Sequence, residues 1–221
     1  MSITRRAASF IYPRSIELLD RLNLNATFRN VVDAHFGTSA VAEDRYRLYR
    51  RVHETFVGEA AITYLEFGVW KGDSITCWAK MNSHPESRFY GFDTFTGLPE
   101  DWNKLSPRGA FDLNGNVPAV HDSRVTLIPG LFQKSLYSFL VDFKPAHPII
   151  VHIDCDLYSS ALFVLTALDR VLRPGTIIIF DEFFDLQHEF AAFLDYTQSF
   201  YRQWRALAHT RQYVQVAVML A

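Results

Sequence analysis

From residue 61 onward the chain alternates short apolar runs with helix-length amphipathic stretches. The runs are Thr63–Phe67, Phe89–Asp93, Val125–Ile128, Ile149–Ile153, Ile177–Phe180 and Tyr213–Leu220. Their Ile- and Val-rich make-up, largely without polar alternation, predicts strands covered on both faces. Between them, apolar residues recur at helical spacing over Asp73–Met81, Phe132–Val141, Ser159–Leu172 and Glu189–Trp204. This alternation predicts a parallel, doubly wound α/β sheet. A short turn around Thr210-Arg211 separates Ala206–His209 from the final run, so the last strand should run antiparallel to its neighbour. Up to about Glu59 only helical spacing is visible, clearest over Ser15–Leu24 and Ala40–Val57, with no strand-like run. The expected division is an amino-terminal helical cap, residues 1–58, on a core, residues 59–221.

Composition narrows the picture by exclusion. Among 221 residues, 49% are hydrophobic and 21% charged, ordinary usage for a globular chain. A net charge of −2 lacks the basic excess of a general nucleic-acid binder. The longest apolar runs are too short for a membrane span. Two cysteines, Cys77 and Cys155, cannot build a disulfide framework, which suits a reduced, cytoplasmic protein. Met1–Tyr12 carries Arg5 and Arg6 and faintly resembles a targeting signal, but Pro13, Arg14 and Glu17 arrive where an apolar stretch should follow.

In open α/β sheets ligands bind beyond the carboxyl ends of the strands, near the point where strand order reverses. The first strand ends Glu66-Phe67-Gly68-Val69-Trp70-Lys71-Gly72-Asp73-Ser74. A pyrophosphate-binding turn needs glycine where Trp70 stands, which argues against NAD. S-adenosylmethionine has no phosphate, and its charged amino-acid end suits an acidic residue followed by a turn. The second strand ends in Asp93-Thr94, 25 residues after Gly68, where a carboxylate can accept ribose hydroxyls. The fourth ends Asp154-Cys155-Asp156 and the fifth Asp181-Glu182. Unpaired carboxylates gathered at two strand ends repel one another, and a divalent cation such as Mg²⁺ or Mn²⁺ relieves this; helix caps and surface acids are the plainer alternative. His152 reads as a hydrogen-bonded core histidine, His121 and His188 lie beside loops at the expected mouth, and Arg45–Arg51 reads as a solvated basic helix face. The loop Trp102–Asp122 is long enough to be functional.

Together these motifs resemble the macrocin O-methyltransferase family of sugar O-methyltransferases. The matching segments are Tyr46–Tyr49, Leu65–Gly72, Gly91–Pro99, Ile153–Ser160 and Ile179–Glu182, in family order over roughly residues 40–200. The resemblance implies a Rossmann-like class I fold that uses S-adenosylmethionine and Mg²⁺. It puts Glu66, Gly68, Val69, Trp70, Gly72 and Ser74 at the methionine part of the cofactor, and Asp93 with Thr94 at the ribose. Gly130 to Phe132 fall by the adenine. Asp154, Asp181 and Glu182 become metal ligands, Asp154 also bordering the cofactor, and Asp156 the general base. Cys155 replaces the family's usual Gly, Glu182-Phe183 replaces Asp-Tyr, and the amino-terminal region is shorter than in many relatives. The implied partner is a small-molecule or glycan acceptor, and self-association as a homo-oligomer is compatible with it. A phenolic or catechol-like acceptor and a non-catalytic binding protein are the other readings.

Overall fold

The computed structural model describes residues 3–221, the side chains of residues 3–15 and 17 excepted. The expectation about a targeting signal over Met1–Tyr12 rests on side chains outside the described set. The chain runs α1 (Ile3–His35), β1 (Ala40–Ala42), α2 (Arg45–Val52), β2 (Thr63–Phe67), α3 (Asp73–Met81), β3 (Arg88–Asp93) and β4 (Val125–Pro129). It continues with α4 (Phe132–Asp142), β5 (Ile149–Ile153), α5 (Tyr158–Leu168), β6 (Ile177–Phe180), α6 (Glu189–Ser199), β7 (Trp204–Thr210) and β8 (Val216–Leu220). One eight-stranded sheet has the order β1-β7-β8-β6-β5-β2-β3-β4. β8 inserts between β6 and β7 and is antiparallel to both, and the other pairings are parallel. Strand order reverses between β2 and β5, which pair in register Glu66 to His152. The Rossmann-like sheet expected from the apolar runs, with its antiparallel last strand, is the one observed.

β2, β5 and β6 are buried along their whole length because each face of the sheet carries its own core. One face holds Leu65, Phe67, Val151, Ile153 and Phe180 under α4, α5 and α6. The other holds Tyr64, Ile150, Ile177 and Ile179 under α2 and α3. Alternation along each strand therefore sends Tyr64 and Glu66, His152 and Asp154, and Asp181 toward the α2 side.

The amino-terminal region departs from the helix-only expectation. Val41 and its neighbours pair with β7 as a short edge strand, invisible in a sequence window of three residues. The two helices read there also differ. α1 extends well beyond Ser15–Leu24, because Phe28, Val31, Val32 and Phe36 pack on the core, with Phe28 edge-on to Phe190 and Tyr213. α2 ends at Val52 and continues as one π turn, His53–Val57, and both Leu48 and Tyr49 are buried. No helix among the described residues is long and apolar enough to cross a membrane.

Candidate active site

A cleft lies beyond the carboxyl ends of β2, β3, β5 and β6, enclosing about 980 Å³ with its solvent-open mouth included. Its walls bring together residues far apart in sequence: Gly68 and Trp70, Asp93 and Thr94, Phe132, Asp154 and Asp156, and Glu182. Glu66, Val69, Ser74 and Asp181 are buried below or behind that surface. Gly72 caps the start of α3, while Gly130 donates its N–H to the Asp93 carbonyl at 2.8 Å.

The turn after β2 is built around Asp93. Its Oδ2 accepts the Val69 and Trp70 backbone N–H groups at 2.8 and 2.7 Å, and its Oδ1 accepts that of Phe95 at 2.7 Å. The carboxylate thus shapes the turn as well as facing the cleft. Trp70 takes φ +46°, with its ring edge-on to Phe111 and under the Lys71 ammonium at 4.1 Å. The segment between β3 and β4, which includes the long loop Trp102–Asp122, closes the mouth: Gly97, Leu98, Pro99, Trp102 and Phe111 line it, and Trp102 Nε1 donates to Asp185 at 2.9 Å.

Beneath the cleft floor a buried polar network joins β2, β5 and β6. Tyr64 donates to Glu66 at 2.7 Å and lies 2.8 Å from His152 Nδ1. On the other side of the ring, Tyr49 is 3.3 Å from both His152 Nε2 and Asp181 Oδ1. His152 is the hydrogen-bonded core histidine its strand position suggested. Burial opposes its charge, but the Asp181 and Glu66 carboxylates overcome this and push it up to about 10. Burial also opposes the charge on Asp181, yet His152 and Arg45 hold that carboxylate below its ordinary range. Asp154 is raised well above its own range, by burial and then by Asp181. Of this pair, Asp181 is the stronger acid and Asp154 the weaker.

The ligand-capable atoms of His152, Asp154 and Asp181 lie within 4.8 Å of one another, whereas Glu182 lines the cleft outside that group. Two carboxyl groups from neighbouring strand ends, buried and crowded enough to raise one of them, form an oxygen donor set that fits a hard divalent cation. Asp156 sits at φ +62° in a three-residue turn closed by Leu157 N–H on the Cys155 carbonyl at 2.6 Å. That region is strained for a side-chain-bearing residue.

Two residues of this site carried no signal in the sequence. Glu189, fully buried at the start of α6, accepts Cys155 N–H at 3.3 Å and Glu182 N–H at 3.0 Å, tying the two acid-bearing strand ends together. Arg45 corrects the reading of Arg45–Arg51 as a solvated face. Arg47, Arg50 and Arg51 are exposed, but Arg45 lines the cleft and pairs with Asp181. His121 is exposed, His188 Nδ1 accepts the Tyr158 N–H at 3.2 Å, and neither lines the cleft.

Burial, and after it Asp181, pushes Asp156 and Glu182 both up to about 7. A folded-state pKa raised above the unfolded value favours the protonated form. The corresponding stability is complete below about pH 4, the unfolded range, and is lost as pH rises through about 7. His152, raised to about 10, loses stability in the same direction. The metal-free protein is therefore expected to melt lower at pH 8 than at pH 5.5, and Mg²⁺ to recover more at pH 8. Thermal melts in EDTA and in Mg²⁺ test this; a melting temperature that climbs across that range contradicts it.

Residues 65–183, more than half of the chain, match the methyltransferase domain family. The chain belongs to that family. No curated protein sequence matches it. Among solved structures it is similar to the O-methyltransferase NovP, at 19% identity over 79% of this chain and 78% of that one, with a TM-score of 0.61. It is also similar to CalS11, a calicheamicin methyltransferase, at 25% identity over 78% of this chain and 75% of that one, TM-score 0.57. An O-methyltransferase from Bacillus cereus, solved with SAH, shares 15% identity over 89% of each chain, TM-score 0.52. The methyltransferase domain thus has the class I O-methyltransferase fold.

Proposed function

We propose that this methyltransferase transfers the methyl of S-adenosylmethionine to a hydroxyl of a sugar or glycosylated natural product, with Mg²⁺ or Mn²⁺ as metal. The observation that carries the reading is the meeting, at one cleft, of the Gly68–Gly72 turn and Asp93 with the acids of β5 and β6. The similarity to CalS11, a TDP-rhamnose 3'-O-methyltransferase, and the resemblance of the strand-end motifs to macrocin O-methyltransferases support the sugar acceptor. The free Cys77 and Cys155 suit a cytoplasmic enzyme.

In-line methyl transfer requires an oxygen held about 3 Å from the methyl carbon, with its proton removed. When bound, the cofactor supplies an electrophilic methyl and the metal lowers the pKa of the acceptor hydroxyl. Asp93 and the turn it braces hold the ribose and methionine parts. Glu66 contributes a buried oxygen, Oε1, without a hydrogen-bond partner. Asp154 and Asp181, with Glu182 at the wall, would hold the metal. Asp156 takes the proton from the rim. The Gly97–Phe111 segment, clasped to Asp185 through Trp102, covers the acceptor and excludes water.

The decisive assay offers methyl-labelled cofactor with a panel of glycosides and simple catechols, with and without EDTA. Label is expected on sugar hydroxyls and lost in EDTA. Turnover of catechols alone overturns the acceptor class, and cofactor binding without transfer to any acceptor overturns the catalytic reading. For the cofactor half, Asp93→Ala should weaken SAH by about 1.5–3 kcal/mol, the scale of hydrogen bonds to a charged group. Calorimetry on the folded variant checks this, and unchanged affinity removes Asp93 from the ribose.

A further inference from the structure

The acidic centre already contains a cation of its own. Arg45, the first residue of α2, reaches over the α2 face of the sheet and pairs through Nη2 with Asp181 Oδ2, while its Nη1 lies 3.9 Å from Asp154 Oδ2. Asp44 fixes the helix start, its side chain accepting the Arg47 N–H at 2.8 Å, so the direction of Arg45 is set by the cap one residue earlier. Asp181 is fully buried, and the Arg45 side chain is two-thirds covered, its relative exposure being 34%. The guanidinium therefore stands at two of the carboxyl groups that would hold a divalent cation. A guanidinium and a metal ion at these two carboxyl groups would compete for the same negative charge.

We propose that Arg45 is a resident counter-ion of the acidic centre, which a divalent cation must displace in order to bind. The inference rests on the metal reading above and adds to it a competition internal to the chain. Arg45 reaches the Asp181 and Asp154 carboxyl groups from the α2 side, while His152 meets Asp181 and Glu66 from within the sheet. A buried charge left unpaired is costly, and Arg45 supplies Asp181 with a partner of opposite sign. The consequence is a weaker metal site than its carboxylates alone would make. Once displaced, the guanidinium stays on the cleft wall, close to where an acceptor would lie.

Binding of Mn²⁺, followed by the electron paramagnetic resonance of the free ion, tests this without any turnover. Arg45→Met and Arg45→Gln remove the charge, and Arg47→Met is the control, because Arg47 is exposed and pairs with Glu43 at 3.9 Å, away from the acidic centre. The Arg45 variants are expected to bind Mn²⁺ at least about tenfold tighter than wild type, the scale of removing one charge near the surface, and Arg47→Met within about twofold. SAH calorimetry on each variant reports whether the fold is intact. Equal Mn²⁺ affinity in wild type and folded Arg45 variants overturns the competition and leaves the metal reading standing. No Mn²⁺ binding in any of the proteins overturns both. Should neither variant fold, arginine-labelled wild type answers by nuclear magnetic resonance. One guanidinium should be released from restrained rotation when Mg²⁺ is added, and an unchanged spectrum at saturating Mg²⁺ overturns the proposal.

Discussion

Asp156→Asn is expected to lower the maximal rate of methyl transfer by roughly 10²–10⁴-fold, the contribution typical of a general base, with metal affinity close to wild type. Asp154→Asn should instead raise the Mg²⁺ requirement and be partly rescued at high Mg²⁺. The two side chains are two residues apart but differently placed. Asp154 falls where β5 ends, with its N–H still bonded to the Phe67 carbonyl at 2.9 Å and its carboxyl grouped with His152 and Asp181. Asp156 lies past that point, in the left-handed turn that aims it away from the strand and onto the cleft wall. Burial, and then Asp181, brings its carboxyl up to about 7, so it takes a proton most effectively at pH values where it has just lost its own. The rate of the wild type should accordingly rise through about pH 7, and that rise should vanish in Asp156→Asn. Activity titrated against Mg²⁺ for both variants decides the assignment. A reversed rescue pattern exchanges the roles, and full activity in both removes these acids from catalysis.

What the chain discloses in one dimension follows from what its residues do locally. β2, β5 and β6 were readable to the residue because strands buried on both faces leave unbroken apolar runs, and the acids after them stood out against that background. β1 was hidden because three residues of alternating burial carry no periodic signal, and its pairing with β7 spans most of the chain. Asp181 and Glu182 looked alike in sequence. They part in the structure because alternation sends one into the buried network and the next to the cleft. Arg45 and Glu189 were invisible for the opposite reason. An arginine in a basic run and a glutamate at a helix start have common roles at the surface. Only the crossing of α2 over the strand ends, and of α6 beneath them, gives these two another.

Gly68→Ala is expected to remove more than about 4 kcal/mol of stability, enough to leave little folded protein, since native domains hold only about 5–15 kcal/mol in all. A methyl built on Gly68 would lie 1.6 Å from the Asp154 carbonyl oxygen and 2.6 Å from its carbon, and both are backbone atoms that no rotamer change can clear. The residue also holds φ +96°, where a side chain is strained. Gly68 N–H bonds the Phe92 carbonyl at 2.9 Å and Asp154 N–H bonds that of Phe67 at 2.9 Å, so the clash lands where β2 is pinned to β3 and β5. Gly72→Ala is the matched control. It shares the left-handed backbone at φ +83°, but its methyl would meet side chains at ordinary contact distance, Val120 at 3.4 Å, Pro118 at 3.8 Å and Ile75 at 3.9 Å, leaving about 1–3 kcal/mol of backbone strain. Denaturant unfolding followed by circular dichroism should therefore separate two glycines that the motif treats alike. Equal losses would mean that strain alone governs both positions. A Gly68→Ala protein as stable as wild type would mean that β2 and β5 do not approach as closely as they do here, and the placement of Asp154 at the cleft would fall with it.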